Sequence, residues 1–253
     1  MSSRPTSPEP RRKELRGKDR LIVALDVPTS DEALRSVEQL DNVSFFKVGW
    51  QLFMTGDLIR ILERLHGKNV FVDLKVPGDI GNTIRAVVDA CVRMNITFLT
   101  LSESVPVPTI EVAKQARGQH EYPKFLTVPF LSSLDASDLS GVTSATDLTL
   151  DEHILARASA ALRAGCDGVI ASGDAIKLCR GRFGESVAIV SPGIRPAGAS
   201  TDDHKRHTTP TEAIRLGADY LVVGRPILKN PNPHQAADAI IAEIDRALMT
   251  VTL

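Results

Sequence analysis

Apolar residues in this chain gather into short unbroken runs, separated by stretches in which they recur at helical spacing. Arg20-Leu-Ile-Val-Ala-Leu-Asp26 is the first run, almost wholly hydrophobic and closed by an acid. Such a run reads as a strand buried on both faces, as in a parallel sheet. Further runs lie at 44–49, 69–75, 97–101, 124–131, 167–171, 186–191 and 219–224. Helical patterns fall between them: one starting at Ser30 with Asp31 and Glu32 in its first turn, then 57–66, 80–94, 109–117, 149–164, 174–182, 211–216 and 233–249. Gly67, Gly165 and Gly217 stand where three of these should stop.

Strand and helix thus alternate eight times, the pattern of an α/β chain closed into a (β/α)8 TIM barrel. An open doubly wound sheet shares the alternation. Its dinucleotide-binding form carries G-x-G-x-x-G after the first strand, where this chain has Asp26-Val-Pro-Thr29, and no G-x-x-x-x-G-K-[ST] occurs. The expectation is a single barrel domain over residues 19–253. Residues 1–18 are Pro, Ser and charge without periodicity, and read as a disordered N-terminal extension.

Composition narrows the function by exclusion. A net charge of −1 gives no footprint for nucleic acid or an anionic membrane. No apolar run approaches the ~20 residues that span a bilayer, and the N-terminal residues carry no hydrophobic core of a secretory signal. Cys91, Cys166 and Cys179 are odd in number and form no CxxC, so they read as reduced thiols in a cytoplasmic protein. Trp50 and the few other aromatics make no stacking platform for nucleic acid.

Barrel chemistry gathers at the strands' carboxyl ends. The polar residues there are Asp26, Lys47, Asp73, Lys75, Ser132, Arg195 and Arg225, with Asp79 just beyond. Any one of them reads as a structural ion pair or cap; all of them at one mouth read as a site. Asp73 and Lys75, two apart on a strand, leave the same face. Arg195 lies in Ser191-Pro-Gly-Ile-Arg-Pro196 and Arg225 in Val222-Val-Gly-Arg-Pro226, the two loops between which barrels often hold phosphate. Guanidinium forks suit phosphate oxygens, and Gly193 and Gly224 let backbone N–H groups come close. A phosphorylated small molecule follows. The aspartates could hold Mg²⁺, but Lys47 and Lys75 stand among them and supply the countercharge. His204 and His207 sit beside Lys205-Arg206 and read as solvated.

These motifs in order resemble orotidine 5′-monophosphate decarboxylases: Ala24-Leu-Asp26, Lys47-Val-Gly49, Asp73-Leu-Lys75 followed by Asp79-Ile80 and Asn82-Thr83, Pro192-Gly-Ile-Arg-Pro196 and Gly224-Arg-Pro226. The resemblance runs from Arg20 to the last helix. It implies cofactor- and metal-free loss of CO₂ from orotidine monophosphate to give UMP, in pyrimidine synthesis. Lys75 would protonate C6, bracketed by Asp73 and Asp79. Asp26 and Lys47 would bind ribose hydroxyls, with Lys47 joining the charged network. Ser132 would meet the base, and Arg195, Gly224 and Arg225 the phosphate. A homodimer is implied, with Asp79, Ile80 and Thr83 completing the partner's site. The loop 192–209 is the natural lid. The chain departs from the family pattern in three places. Three residues, not two, separate Lys75 from Asp79. His204 falls where the family has a lid Gln touching phosphate and base, so the resemblance implies a substrate-binding role in which His204 donates a hydrogen bond in its place. Strand four ends Leu101-Ser-Glu-Ser104 in place of His-Ala-(Ser/Gly)-Gly. Two alternatives stay open: a Mg²⁺-using sugar-phosphate decarboxylase or aldolase on the same barrel, whose members carry Glu where this chain has Lys47, and a barrel that binds a nucleotide without catalysis.

Overall fold

A computed structural model of the chain describes residues 15–143, 147–196 and 208–251. Eight strands form a closed barrel in chain order: β1 (Leu21–Ala24), β2 (Phe45–Gly49), β3 (Asn69–Val76), β4 (Phe98–Leu101), β5 (Lys124–Thr127), β6 (Gly168–Ile170), β7 (Ala188–Ser191) and β8 (Tyr220–Val223). Neighbours pair in parallel, and β8 closes on β1 through Leu21 opposite Leu221. The major helices, Ser30–Gln39, Leu58–Arg64, Gly81–Arg93, Val107–Arg117, Leu150–Ala164, Asp174–Phe183, Pro210–Leu216 and Pro233–Val251, lie within a few residues of the sequence pattern. The expected (β/α)8 TIM barrel is what forms.

Strand parity divides the core into two clusters. Ile22, Phe45, Phe71, Phe98, Leu126 and Tyr220 pack together inside the barrel. Their chain neighbours Leu21, Val23, Phe46, Val70, Val72 and Leu99 pack outward against helix residues such as Val88, Ile110, Ile154 and Ile176. The rings of Phe45, Phe98 and Tyr220 lie 5.1–6.0 Å apart, tilted or edge-on, as aromatic quadrupoles favour.

The amino-terminal end of the barrel is sealed. Leu15 joins the interior cluster. Arg20 is buried, its Nε donating to the Leu15 carbonyl at 3.0 Å and its Nη1 to the Asp219 carbonyl at 3.1 Å. Gly17–Arg20 is a helical turn whose Gly17 amide donates to Asp245 Oδ1 at 2.7 Å. Leu15 and Gly17, expected within the disordered extension, are therefore buried, and Arg20 belongs to this turn and not to β1. Asp167 and Asp219, each just before a strand, repeat one device. Asp167 Oδ2 accepts the Phe125 amide at 2.8 Å and an Arg117 Nη1 at 2.6 Å. Asp219 Oδ2 accepts the Ile189 amide and an Arg180 Nη2, both at 2.7 Å.

One local expectation shifts. β5 stops at Thr127 instead of running to 131, because Pro129 has no N–H to continue the ladder. The helix from Ser30 is capped by Thr29, whose hydroxyl accepts the Glu32 amide at 3.2 Å. Cys91, Cys166 and Cys179 are free and buried; burial pushes their thiols up to about 12, about 12 and about 11.

Candidate active site

At the carboxyl ends of the strands the barrel opens on a cavity of about 430 Å³. Ala24, Phe71 and Val222, members of the interior cluster, reach it from below. One side carries Asp26, Lys47, Asp73 and Lys75; Pro192, Gly193, Arg195, Gly224 and Arg225 bring in the β7 and β8 loops, and Val128, Leu131, Ser132 and Ile170 complete it.

The four charged residues form an alternating chain. Lys47 Nζ lies 3.1 Å from Asp26 Oδ1 and 3.2 Å from Asp73 Oδ2, while Lys75 Nζ lies 2.9 Å from Asp73 Oδ1. The inner members are the buried ones: the Lys47 and Asp73 side chains are 11% and 14% exposed, against 34% for Lys75 and 51% for Asp26. Burial alone would lower the Lys47 pKa, but Asp73 and then Asp26 outweigh it, and the ammonium is held above its ordinary value. Burial would likewise raise Asp73; Lys47 and Lys75 outweigh it, and the carboxylate is held below its ordinary value. Both groups stay charged through the neutral range.

β3 reaches this geometry through an irregular path. Toward β2 its register is unbroken to Gly49 opposite Asp73. Toward β4, Val72 faces Leu99 and Val76 faces Leu101, so residues 73–75 oppose Thr100 alone. Lys75 takes φ 45°, a left-handed conformation that costs roughly 1–2 kcal/mol in a residue with a Cβ. Such strain is kept where surrounding contacts over-determine it, often at functional sites.

At the β7 tip, Arg195 is buried, with Nη1 donating to the Ile194 carbonyl at 2.9 Å, and Gly193 takes φ 74°. Ile194 and Thr208 form a bridge, and the Arg195 amide donates to the Thr208 carbonyl at 2.9 Å. Two guanidiniums and two glycines at the β7 and β8 tips thus border one cavity.

Comparison with known proteins gives the family. The model of the orotidine 5′-phosphate decarboxylase / HUMPS family matches residues 19–240. The chain belongs to that family. An orotidine 5′-phosphate decarboxylase of Rhodopseudomonas palustris (strain HaA2) is 44% identical over 232 residues, covering 91% of this chain and 96% of the relative. Another, from Methylococcus capsulatus, is 42% identical over 230 residues, covering 89% and 92%. The crystal structure of orotidine 5′-phosphate decarboxylase from Lactobacillus acidophilus matches with a TM-score of 0.75 at 32% identity, covering 89% of this chain and 98% of that one.

Of the residues singled out from the sequence, Asp26, Lys47, Asp73, Lys75, Ser132, Arg195, Gly224 and Arg225 line the one cavity. Asp79, Ile80 and Thr83 do not. Asp79 is exposed and its Oδ1 accepts the Ile80 amide at 2.6 Å; Ile80 is 70% exposed and Thr83 is exposed. Within one chain Asp79 therefore stands away from the cavity; the bracketing expected of it is between two copies. Val76-Pro-Gly78 leads Asp79 outward, and among the described residues it is Lys47, not Lys75, that has two carboxylates. His204 lies outside the described residues, as does most of the proposed lid loop. Ser102 bonds to Glu103 Oε2 at 3.2 Å and Ser104 Oγ at 3.1 Å, and is not among the cavity residues.

Sequence reasoning missed Thr100 and the apolar lining from Phe71, Val128 and Ile170. Thr100 did leave a mark, a lone hydroxyl within the run Phe98-Leu-Thr-Leu101. The apolar lining left none, since those residues look like any others in a buried strand.

Proposed function

We propose that this protein removes CO₂ from orotidine 5′-monophosphate to give UMP, in the cytoplasm, without metal or cofactor. One observation carries the reading: an ammonium, Lys75 Nζ, fixed 2.9 Å from a buried carboxylate inside a cavity that also holds Arg195 and Arg225. Loss of CO₂ from the pyrimidine leaves a lone pair on an sp² carbon that the ring cannot delocalise. A cation fixed beforehand at that carbon stabilises the charge and then supplies the proton, which is the role of Lys75. Asp73 anchors that ammonium and remains ionised at neutral pH because two lysines face it. Arg195, Arg225 and the Gly224 backbone take the phosphate, Asp26 and Lys47 the ribose hydroxyls, and Ser132 the base. Binding energy from the remote phosphate then helps organise the site around the reacting ring.

The position between Asp26 and Asp73 argues against the Mg²⁺-using alternative, because the Lys47 ammonium bonds to both carboxylates. The site is completed by a second copy. Trp50, Phe53 and Met54 after β2, Ile80 after β3 and Val107 after β4 are all 40% exposed or more, on three adjacent connections at the cavity end. An apolar face of this kind marks an interface. A partner seated there brings its Asp79, Ile80 and Thr83 toward this cavity.

Ultraviolet absorbance of purified protein with orotidine monophosphate tests the reading. Turnover unchanged by EDTA is expected. Tight UMP binding without turnover would support the binding-only alternative, and inhibition by EDTA the metal-using one.

A further inference from the structure

We propose that Thr100 is the positioning residue that holds Asp73 and Lys75 in register with each other, an inference that rests on the decarboxylase reading above. Thr100 is fully buried in β4 and stands alone against residues 73–75 of β3. The Lys75 amide donates to Thr100 Oγ1 at 2.9 Å, and Thr100 Oγ1 donates to Asp73 Oδ1 at 3.0 Å. The directions are forced. A backbone N–H can only donate, so the hydroxyl accepts there and its single proton is left for the carboxylate.

Each bond does separate work. A bulge leaves an amide without its ladder partner, and a buried amide needs one. Thr100 supplies it to the residue in the left-handed conformation, Lys75 at φ 45°. That turn brings the Lys75 side chain back onto Asp73, whose Oδ1 receives both Lys75 Nζ at 2.9 Å and the Thr100 hydroxyl. One hydroxyl thus fixes the backbone carrying the ammonium and the carboxylate that anchors it. It does not line the cavity, so it acts through its two partners.

Valine has nearly the shape of threonine but neither bond, alanine removes the bonds and some volume, and serine keeps the hydroxyl. Thr100→Val and Thr100→Ala should each lower kcat about ten- to a hundred-fold, the range expected for losing a buried hydrogen bond to a charged group. KM and the Kd for UMP should move less than about three-fold, and Thr100→Ser should stay within about three-fold of the parent in kcat. Crystal structures of the Val or Ala variant should show Lys75 out of the left-handed region and Nζ drawn away from Asp73. Serine no better than alanine, or an unchanged Lys75–Asp73 pair in a Val or Ala variant, would overturn the proposal. The structural arm reads out even if the parent protein does not turn over orotidine monophosphate. In that case the decarboxylase reading fails, while the role of Thr100 in holding the pair is still decided.

Discussion

Asp73 is the residue on which the site's charge balance turns. It accepts from Lys47, Lys75 and Thr100 together, so its ionised form is favoured by three donors against the cost of burial. Because its pKa is depressed on folding, the stability it contributes is present above the ordinary carboxylate range and is lost as pH falls through the lower native value. Lys47 runs the other way: raised on folding, its contribution is present below the ordinary lysine pKa and is lost only as pH rises through the higher native value. The stability difference between the parent and Asp73→Asn, measured by urea unfolding, should therefore shrink as pH is lowered from 7 to 3. A difference that grew on acidification would contradict the assigned charge state. Lys75, the proton donor of the proposed function, is partly exposed and should contribute less to the fold than its buried neighbours. Lys75→Ala should cut kcat by about a thousand-fold or more, at the upper range for losing a positioned proton donor, while UMP binding measured by calorimetry stays within several-fold. A variant turning over at near-parent rate would remove Lys75 from the proton transfer.

At the scale of the element, β3 shows what a sequence can and cannot disclose. Alternation placed Asp73 and Lys75 on one face, and their side chains do meet. The mechanism is not the one alternation assumes, since a regular strand would not put three residues opposite Thr100. A bulge is written in the bonds between two strands, and neither strand's residues announce it alone. The same limit hid the path of Asp79. Its distance from Lys75 along the chain was plain, but whether Val76-Pro-Gly78 folds it back or leads it outward depends on what the turn packs against. That neighbour is Pro106: a Cβ added to Gly78 would overlap its ring. Gly78→Ala should therefore cost about 1–3 kcal/mol in urea unfolding, the usual range for overpacking. Adding Pro106→Ala should recover most of the loss, a coupling that a double-mutant cycle measures directly. Equal losses with and without Pro106 would show that the contact is not what requires glycine. Where signals are local the pattern served well, and the helix bounds followed glycine stops and apolar period closely.

For the whole molecule, the barrel was legible because eight apolar runs alternate with eight helical patterns, and parity alone then sorts residues between interior and outer shell. The mouth was legible because charge at a strand's carboxyl end has few structural uses in such number. What could not be read was the sealing of the opposite end by Leu15 and Arg20, since a buried arginine held by backbone carbonyls looks, in sequence, like the charged start of a strand. The proposed sharing of the site between two copies also exceeds a single chain. If the apolar face formed by Trp50, Met54, Ile80 and Val107 is covered by a second copy, then Trp50→Glu with Val107→Glu should give a monomer by analytical ultracentrifugation. Its kcat should fall about a hundred-fold or more, as when a charged stabilising group leaves a site. A monomer with parent activity would show that one chain suffices.

The three cysteines have a practical consequence. Each is shielded and protonated at neutral pH, so a thiol introduced at the surface should be the fast-reacting one in the folded protein and would take a fluorophore or spin label at a chosen position. Conversely, the slow alkylation of Cys91, Cys166 and Cys179 becomes a clock, reporting how often the region around each one opens to solvent.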